Sequence, residues 1–226
     1  MREELHYASP TAEVAAPRGE MAARVLRNTY MLLGISLAFS AGMAWFAMSA
    51  NIGYVNPWLT LGVYFGALIF TNIFRNSALG ILGVFAITGW LGFTTGPIIS
   101  MFASVQGGME IVTLALGATA TIFVAMSAIA LFSRKDFSFL TNFLMIGILV
   151  AFLCGLGAMI FDMPALSLAV SGAFVLLSSL LIMWQTSAIV HGGETNYIMA
   201  TVTLFVSLYN LFMSLLHILS ALSGDD

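Results

Sequence analysis

Residues 197–220 read YIMATVTLFVSLYNLFMSLLHILS, a run without a single Asp, Glu, Lys or Arg. A helix needs about 20 predominantly apolar residues to cross a bilayer. Lipid offers backbone amides and carbonyls no water, so a run of this length must close its hydrogen bonds within itself, as a helix. Six runs of similar character precede it, at about 28–49, 57–74, 78–100, 111–132, 137–161 and 164–187. All seven basic and all ten acidic residues fall outside these runs. The pattern predicts an all-α membrane protein of seven transmembrane helices.

The charges between the runs predict its orientation. Arg2, Arg18, Arg24 and Arg27 precede the first run, Arg75 separates the second and third, and Arg134 and Lys135 separate the fourth and fifth. With seven spans, every basic residue falls on one side. The other side carries Glu110, Asp162, Asp225 and Asp226. The positive-inside bias then puts the N-terminus in the cytoplasm and the C-terminus outside. In a bacterium that means a multi-pass protein of the cytoplasmic (inner) membrane, with its C-terminus in the periplasm.

The 226 residues are 60% hydrophobic and 8% charged, outside the range of soluble domains. No basic block points to nucleic acid; the partner that composition names is the lipid bilayer. Cys154 is the one cysteine, so no disulfide framework or cysteine metal site is available. Residues 1–24 lack the apolar core of a cleavable signal peptide and any apolar periodicity. They read as a flexible cytoplasmic tail, residues 25–222 as the seven-helix domain, and 223–226 as a short external tail.

Short loops make consecutive helices antiparallel neighbours. Pro57 and Pro164 sit at helix starts, where a missing N–H costs little. Pro97 lies near the end of the third span, where the helix is expected to kink or stop. Gly62 with Gly66, and Gly92 with Gly96, form small-xxx-small pairs, joined by Gly80, Gly83 and Gly89. In lipid, helices associate through close backbone approach, and both pairs are expected at tight internal contacts, with dimerisation as the lesser alternative.

The last run carries Thr203, Ser207, Asn210, Ser214 and His217, spaced 4-3-4-3, which places all five on one helix face. At ~1.5 Å per residue the stripe covers about 21 Å. An unpaired hydroxyl or amide facing lipid is costly, so this helix is expected inside the bundle. Ser171, Ser178 and Gln185 recur every seven residues on the sixth run and offer a partner face. The stripes either form interhelical hydrogen bonds, each worth about 0.6 kcal/mol on average, or line a polar pathway. The first reading is favoured, because ion and proton routes usually use an ionisable group within the membrane.

The same sparseness bears on enzymology. Lys135, the one lysine, lies in a loop and cannot carry a retinal within a span. No paired His with a Glu forms a metalloprotease helix, and no two Asp lie within spans. Ser214 and His217 share one helix without an orienting acid, a poor nucleophile and base. The sequence offers no catalytic residue, metal site or cofactor site.

Several segments resemble a known family. One is Trp184-Gln-Thr-Ser-Ala-Ile-Val-His-Gly-Gly-Glu-Thr-Asn-Tyr-Ile198, followed by Leu204-Phe-Val-Ser-Leu-Tyr-Asn-Leu-Phe212. Others are Val25-Leu-Arg-Asn-Thr-Tyr30, Thr88-Gly-Trp-Leu-Gly-Phe93 with Gly96-Pro97, and Arg134-Lys-Asp-Phe-Ser-Phe-Leu140. Together they resemble the Bax inhibitor-1 family, in particular its bacterial YccA branch, over about residues 24–222. The His191-Gly192-Gly193-Glu194 motif is the segment most specific to that branch. The resemblance implies a fold in which the last helix is central, surrounded by the other six. It also implies two functions. One is a calcium leak gated by paired Asp on helices six and seven. The matching positions here are Gln185 and Ser207, so the latch, which needs two carboxylates sharing a proton, is missing, as are hard oxygen anions for calcium. The other is binding and modulation of the FtsH membrane protease, for which the N-terminal tail is the flexible end and His191 to Glu194 a candidate cytoplasmic motif. The expected function is therefore a non-enzymatic inner-membrane modulator of FtsH, with an ion-leak channel as the alternative. In either case Gln185, Thr203, Ser207, Asn210, Ser214 and His217 form the candidate polar core.

Overall fold

The computed structural model describes residues 18–133 and 135–224. Within them the chain forms seven α-helices: α1 (Arg18–Ser49), α2 (Pro57–Ile73), α3 (Ala78–Ala103), α4 (Gly108–Phe132), α5 (Thr141–Ile160), α6 (Pro164–Val190) and α7 (Tyr197–Ser223). A 3-10 turn over Ser138–Leu140 leads into α5. Six helices are long and apolar enough to cross a membrane. The seventh, α2, has 17 residues, about 25 Å of helix and the low end of what spans a bilayer.

Local chemistry sets the helix ends. Pro57 and Pro164 open α2 and α6 at the first turn. The Asn56 side chain caps α2 by accepting from the Trp58 amide at 2.8 Å. Pro97 does not stop its helix: α3 continues to Ala103. Helix α1 begins at Arg18, within the stretch 1–24 that the sequence suggested as a tail. Residues 1–17 lie outside the described residues, as do Arg134, Asp225 and Asp226, so the readings placed on them concern the sequence alone.

Helix α7 is central. Its buried residues include Thr201, Val202, Leu204, Phe205, Ser207, Leu211, Ser214 and Leu216, which cover about two-thirds of the circumference at 3.6 residues per turn; the remaining side, with Thr203, Val206 and Asn210, is half-buried. It packs chiefly against α1, α3, α4 and α6. Helices α2 and α5 stand off from it across a cavity, so the central helix is embraced closely by four neighbours rather than six. The core around it comprises Leu33, Val84, Ile87, Ile182, Val202 and Leu211.

The two glycine pairs have opposite fates. Gly92 abuts the backbone carbonyl of Ser40, and a Cβ at Gly96 would lie 2.5 Å from the Ala44 carbonyl and 2.7 Å from Ala47 Cβ. Gly83 meets Thr71 of α2, and Gly80 the carbonyl of Phe74. Helix α3 is thus pressed between α1 and α2 through missing side chains. Gly62 and Gly66 are exposed, with open space where a Cβ would be. The expectation of internal packing fails for that pair, because α2 turns this side away from α3.

Candidate functional site

The loops carrying Arg75 and Lys135 meet at one end of the bundle. The Asn196 Nδ2 donates to the Arg75 carbonyl and to Asn76 Oδ1, both at 2.9 Å. The Phe137 amide donates to Ser187 Oγ at 3.2 Å. Thr201 Oγ1 approaches the Thr29 carbonyl at 3.3 Å, bringing the start of α1 to the same level. Arg24, Arg27, Arg75 and Lys135 therefore share one end, called here the basic end. Glu110 and Asp162 lie in or beside the turns of the opposite end.

The His191-Gly192-Gly193-Glu194 motif lies at the basic end, and its geometry is that of a helix terminator. The Gly192 amide donates to the Ile189 carbonyl at 3.2 Å, and the Gly193 amide to Ala188 at 2.8 Å. Gly192 has φ of 76°. This is the left-handed residue and bond pair of a Schellman stop, which favours glycine. Glu194 Oε1 then accepts from the Asn196 amide at 2.7 Å. Asn196 Oδ1 in turn accepts from the Ile198 and Met199 amides, capping α7. His191 Nδ1 sits 2.9 Å from the Ser187 carbonyl. The motif fixes the turn into the central helix and ties it to the α2–α3 loop.

Deeper in the bundle, α6 and α7 match their polar stripes in antiparallel register. Ser171 Oγ lies 2.8 Å from His217 Nδ1, near the acidic end. One heptad inward on each helix, Ser178 and Asn210 line the same cavity. A further heptad inward, the register puts Gln185 opposite Thr203, a turn from Ser207. Gln185 is 2% exposed, Ser207 is fully buried and Ser214 is buried. Ser207 Oγ donates to the Thr203 carbonyl at 2.7 Å, so it is satisfied within its own helix. Gln185 Nε2 has no partner among the described residues, and neither do Thr29 Oγ1, Ser36 Oγ and Thr88 Oγ1.

A second polar node was not singled out by the sequence. The Tyr30 hydroxyl donates to Ser127 Oγ at 3.0 Å and lies 3.2 Å from Thr186 Oγ1. It joins α1, α4 and α6 beside α7. Thr29 and Ser36, seven apart on α1 and both fully buried, carried the same heptad signal that exposed the α6 stripe.

Asn210 departs from the expected close-packed interface. It is half-buried and faces the cavity. The side-chain hydrogen bonds of this part of α7 belong to Ser207 and His217; Asn210 makes none among the described residues. Phe205, on the opposite side of α7, is 2% exposed. Asn210→Leu is therefore expected to change stability by about 0.5 kcal/mol or less, since no partner is left unpaired. Phe205→Ala loses the packing of a buried ring and leaves a void, together a loss of about 3–5 kcal/mol. Thermal unfolding of both variants in detergent checks this ranking; an Asn210 variant less stable than the Phe205 variant would refute it.

The site holds hydroxyls, the carboxamides of Gln185 and Asn210, and the His217 imidazole at its outer end. Among the described residues no carboxylate, lysine or arginine accompanies Gln185 and Ser207 in the buried α6–α7 interface, so it has hydrogen-bonding capacity and no fixed charge.

An all-helical bundle wrapped around its seventh helix, with small-residue contacts between outer helices, is a multi-pass membrane protein. Residues 22–224 match the family described as inhibitor of apoptosis-promoting Bax1. The chain belongs to that family, the Bax inhibitor-1 family. It is 48% identical over 203 residues to an Escherichia coli protein named "Modulator of FtsH protease YccA", covering 89% of this chain and 92% of that one. An uncharacterised protein of Pasteurella multocida is 50% identical over 203 residues, covering 90% of this chain and 92% of the relative. One from Pseudomonas aeruginosa is 46% identical over 202 residues, covering 89% and 91%. The Escherichia coli O6:H1 relative, also 48% identical over 203 residues with 89% and 92% covered, is named "Inner membrane protein YccA".

Proposed function

We propose that this chain is a regulatory protein of the bacterial cytoplasmic membrane that binds an FtsH-type protease and modulates its action. The observation that carries the reading is the 48% identity to the Escherichia coli modulator over nearly the whole chain. The geometry supports it over the ion-leak alternative. Where the latch needs two carboxylates, Gln185 and Ser207 supply groups that do not titrate. The bundle is also held by tight α1–α3 contacts and by the clasp at its basic end, features suited to a protein that resists extraction by a protease. The basic end faces the cytoplasm in this reading, where the ATP-driven part of such a protease works.

The test uses full-length tagged chain in native membranes. FtsH is expected to co-purify after mild solubilisation, and added chain is expected to slow FtsH-dependent loss of a membrane substrate. Absence of both would overturn the proposal. In parallel, proteoliposomes of the same protein are expected to show no calcium flux that switches with pH. A flux of that kind would favour the channel reading. Restoring Asp at both Gln185 and Ser207 is expected to introduce a pH-dependent step absent from the starting protein.

A further inference from the structure

A cavity separates α2 and α5 from the central helix. Its volume is about 760 Å3, within the roughly 300–1,000 Å3 typical of small-molecule sites. It runs from Tyr54 and Pro57, at the acidic end, past Phe65 at mid-helix to Met145, one turn into α5 from the basic end. Phe65 of α2 and Phe152 of α5 meet edge-on, with centroids 5.8 Å apart. The lining residues Phe65, Met145 and Leu149 are also exposed on the outer surface of the bundle. The mouth therefore opens sideways, between two spanning helices, toward hydrocarbon.

The chemistry of the wall is divided. The α5 side is apolar, with Leu149, Phe152 and Leu156, while α2 places Leu61 and Phe65 beside Thr60 and Tyr64. The inner side, on α6 and α7, presents Ser178, Tyr209 and Asn210. Ser178 is 3% exposed. Its neighbour Ser179 donates to the Val175 carbonyl at 2.6 Å, whereas Ser178 makes no hydrogen bond among the described residues. Asn210 is equally free. A buried hydroxyl at Ser178 and a half-buried carboxamide at Asn210, both lining the cavity, leave hydrogen bonds to be made by an occupant. Water alone does not fill the place, because each buried water needs two to four polar partners and the stretch of Leu61, Phe65, Leu149, Phe152 and Leu156 supplies none. The lining residues include no Asp, Glu, Lys or Arg, so a charged headgroup would be desolvated without a counter-charge. A transmembrane helix about 10 Å across is too large to enter.

From these features we infer that the cavity binds one uncharged membrane amphiphile, with a hydroxyl- or ester-bearing head on Ser178 and Asn210. Its single hydrocarbon chain lies along α2 and α5. The ligand enters laterally from the bilayer. The site is independent of the protease reading, since its polar wall at Tyr209 and Asn210 lies about 20 Å along α7 from the Asn196 clasp.

The probe is a monoacylglycerol carrying a diazirine in its chain, photolysed with the full-length protein in phosphatidylcholine nanodiscs. Labelling is expected to saturate, to map to Leu61, Leu149 and Phe152, and to be competed by unlabelled monoacylglycerol. Ser178→Ala is expected to weaken the half-saturation concentration about fivefold, as one lost hydrogen bond does. Asn210→Leu should do the same, with thermal stability near that of the parent. The fatty acid bearing the same diazirine, ionised at pH 9, is expected to label the site at least about tenfold less. Labelling that does not saturate or spreads over the whole lipid-facing surface overturns the inference. So does saturable labelling indifferent to both substitutions, or equal for acid and glyceride.

Discussion

Gly92→Leu is expected to leave little folded protein. The α-carbon of Gly92 is pressed against the Ser40 carbonyl of α1, and four residues on, Gly96 is packed against Ala44 and Ala47. The obstacle at both positions includes backbone, which cannot swing aside as a long side chain can. A leucine there forces α1 and α3 apart along their shared length. Overpacking a tight core costs about 1–3 kcal/mol when side chains can adjust, and occasionally more. Here the upper end or beyond is expected, against a total stability of about 5–15 kcal/mol. The matched control is Gly66→Leu on α2. Open space surrounds that position, and leucine improves helix propensity by roughly 0.8 kcal/mol over glycine. Monodispersity and thermal unfolding in detergent should separate the two variants clearly. Equal stability would mean that the α1–α3 contact does not hold the bundle together.

Reporter fusions are expected to give an all-or-none contrast between the two ends. A phosphatase active only outside the cytoplasm should work when attached after Asp226 and fail when attached ahead of α1. The physical basis is the clustering of Arg24, Arg27, Arg75 and Lys135 at one end of the bundle, reinforced in the sequence by Arg2, Arg18 and Arg134. An odd number of crossings is what makes the termini differ, and it depends on α2. That helix has the fewest residues of the seven. Identical activity at the two ends would show that α2 does not cross.

The helices themselves were nearly all written in the chain. Runs beginning at 57, 78, 164 and 197 start at the first residues of α2, α3, α6 and α7, because Pro57, Pro164 and the capping Asn196 punctuate the sequence sharply. What a linear pattern could not show is which side of a helix is turned inward. Gly62-Gly66 and Gly92-Gly96 have identical spacing, yet only the second pair meets another backbone. A stripe argument also assumes that the side opposite the polar residues faces lipid. For α7 that assumption breaks down: Phe205, opposite the stripe, is buried more deeply than Asn210 within it, since a central helix has no outward face. The His-Gly-Gly-Glu segment was recognisable by kinship, but its work as a helix stop follows from the positive φ of Gly192 and the bonds around it.

The position of α7 also sets the order in which the molecule can be built. Helix α7 emerges after the helices it fills the space between, at roughly 5–20 residues per second of synthesis. Until then Leu33, Ile87 and Ile182 have no Leu204 or Leu211 to pack on, and the α2–α3 turn has no Asn196 to hold it. The six earlier helices therefore cannot complete this core on their own, and Gln185 and Thr29 wait for the helix that buries them. Insertion of α7 is the keystone step of the bundle.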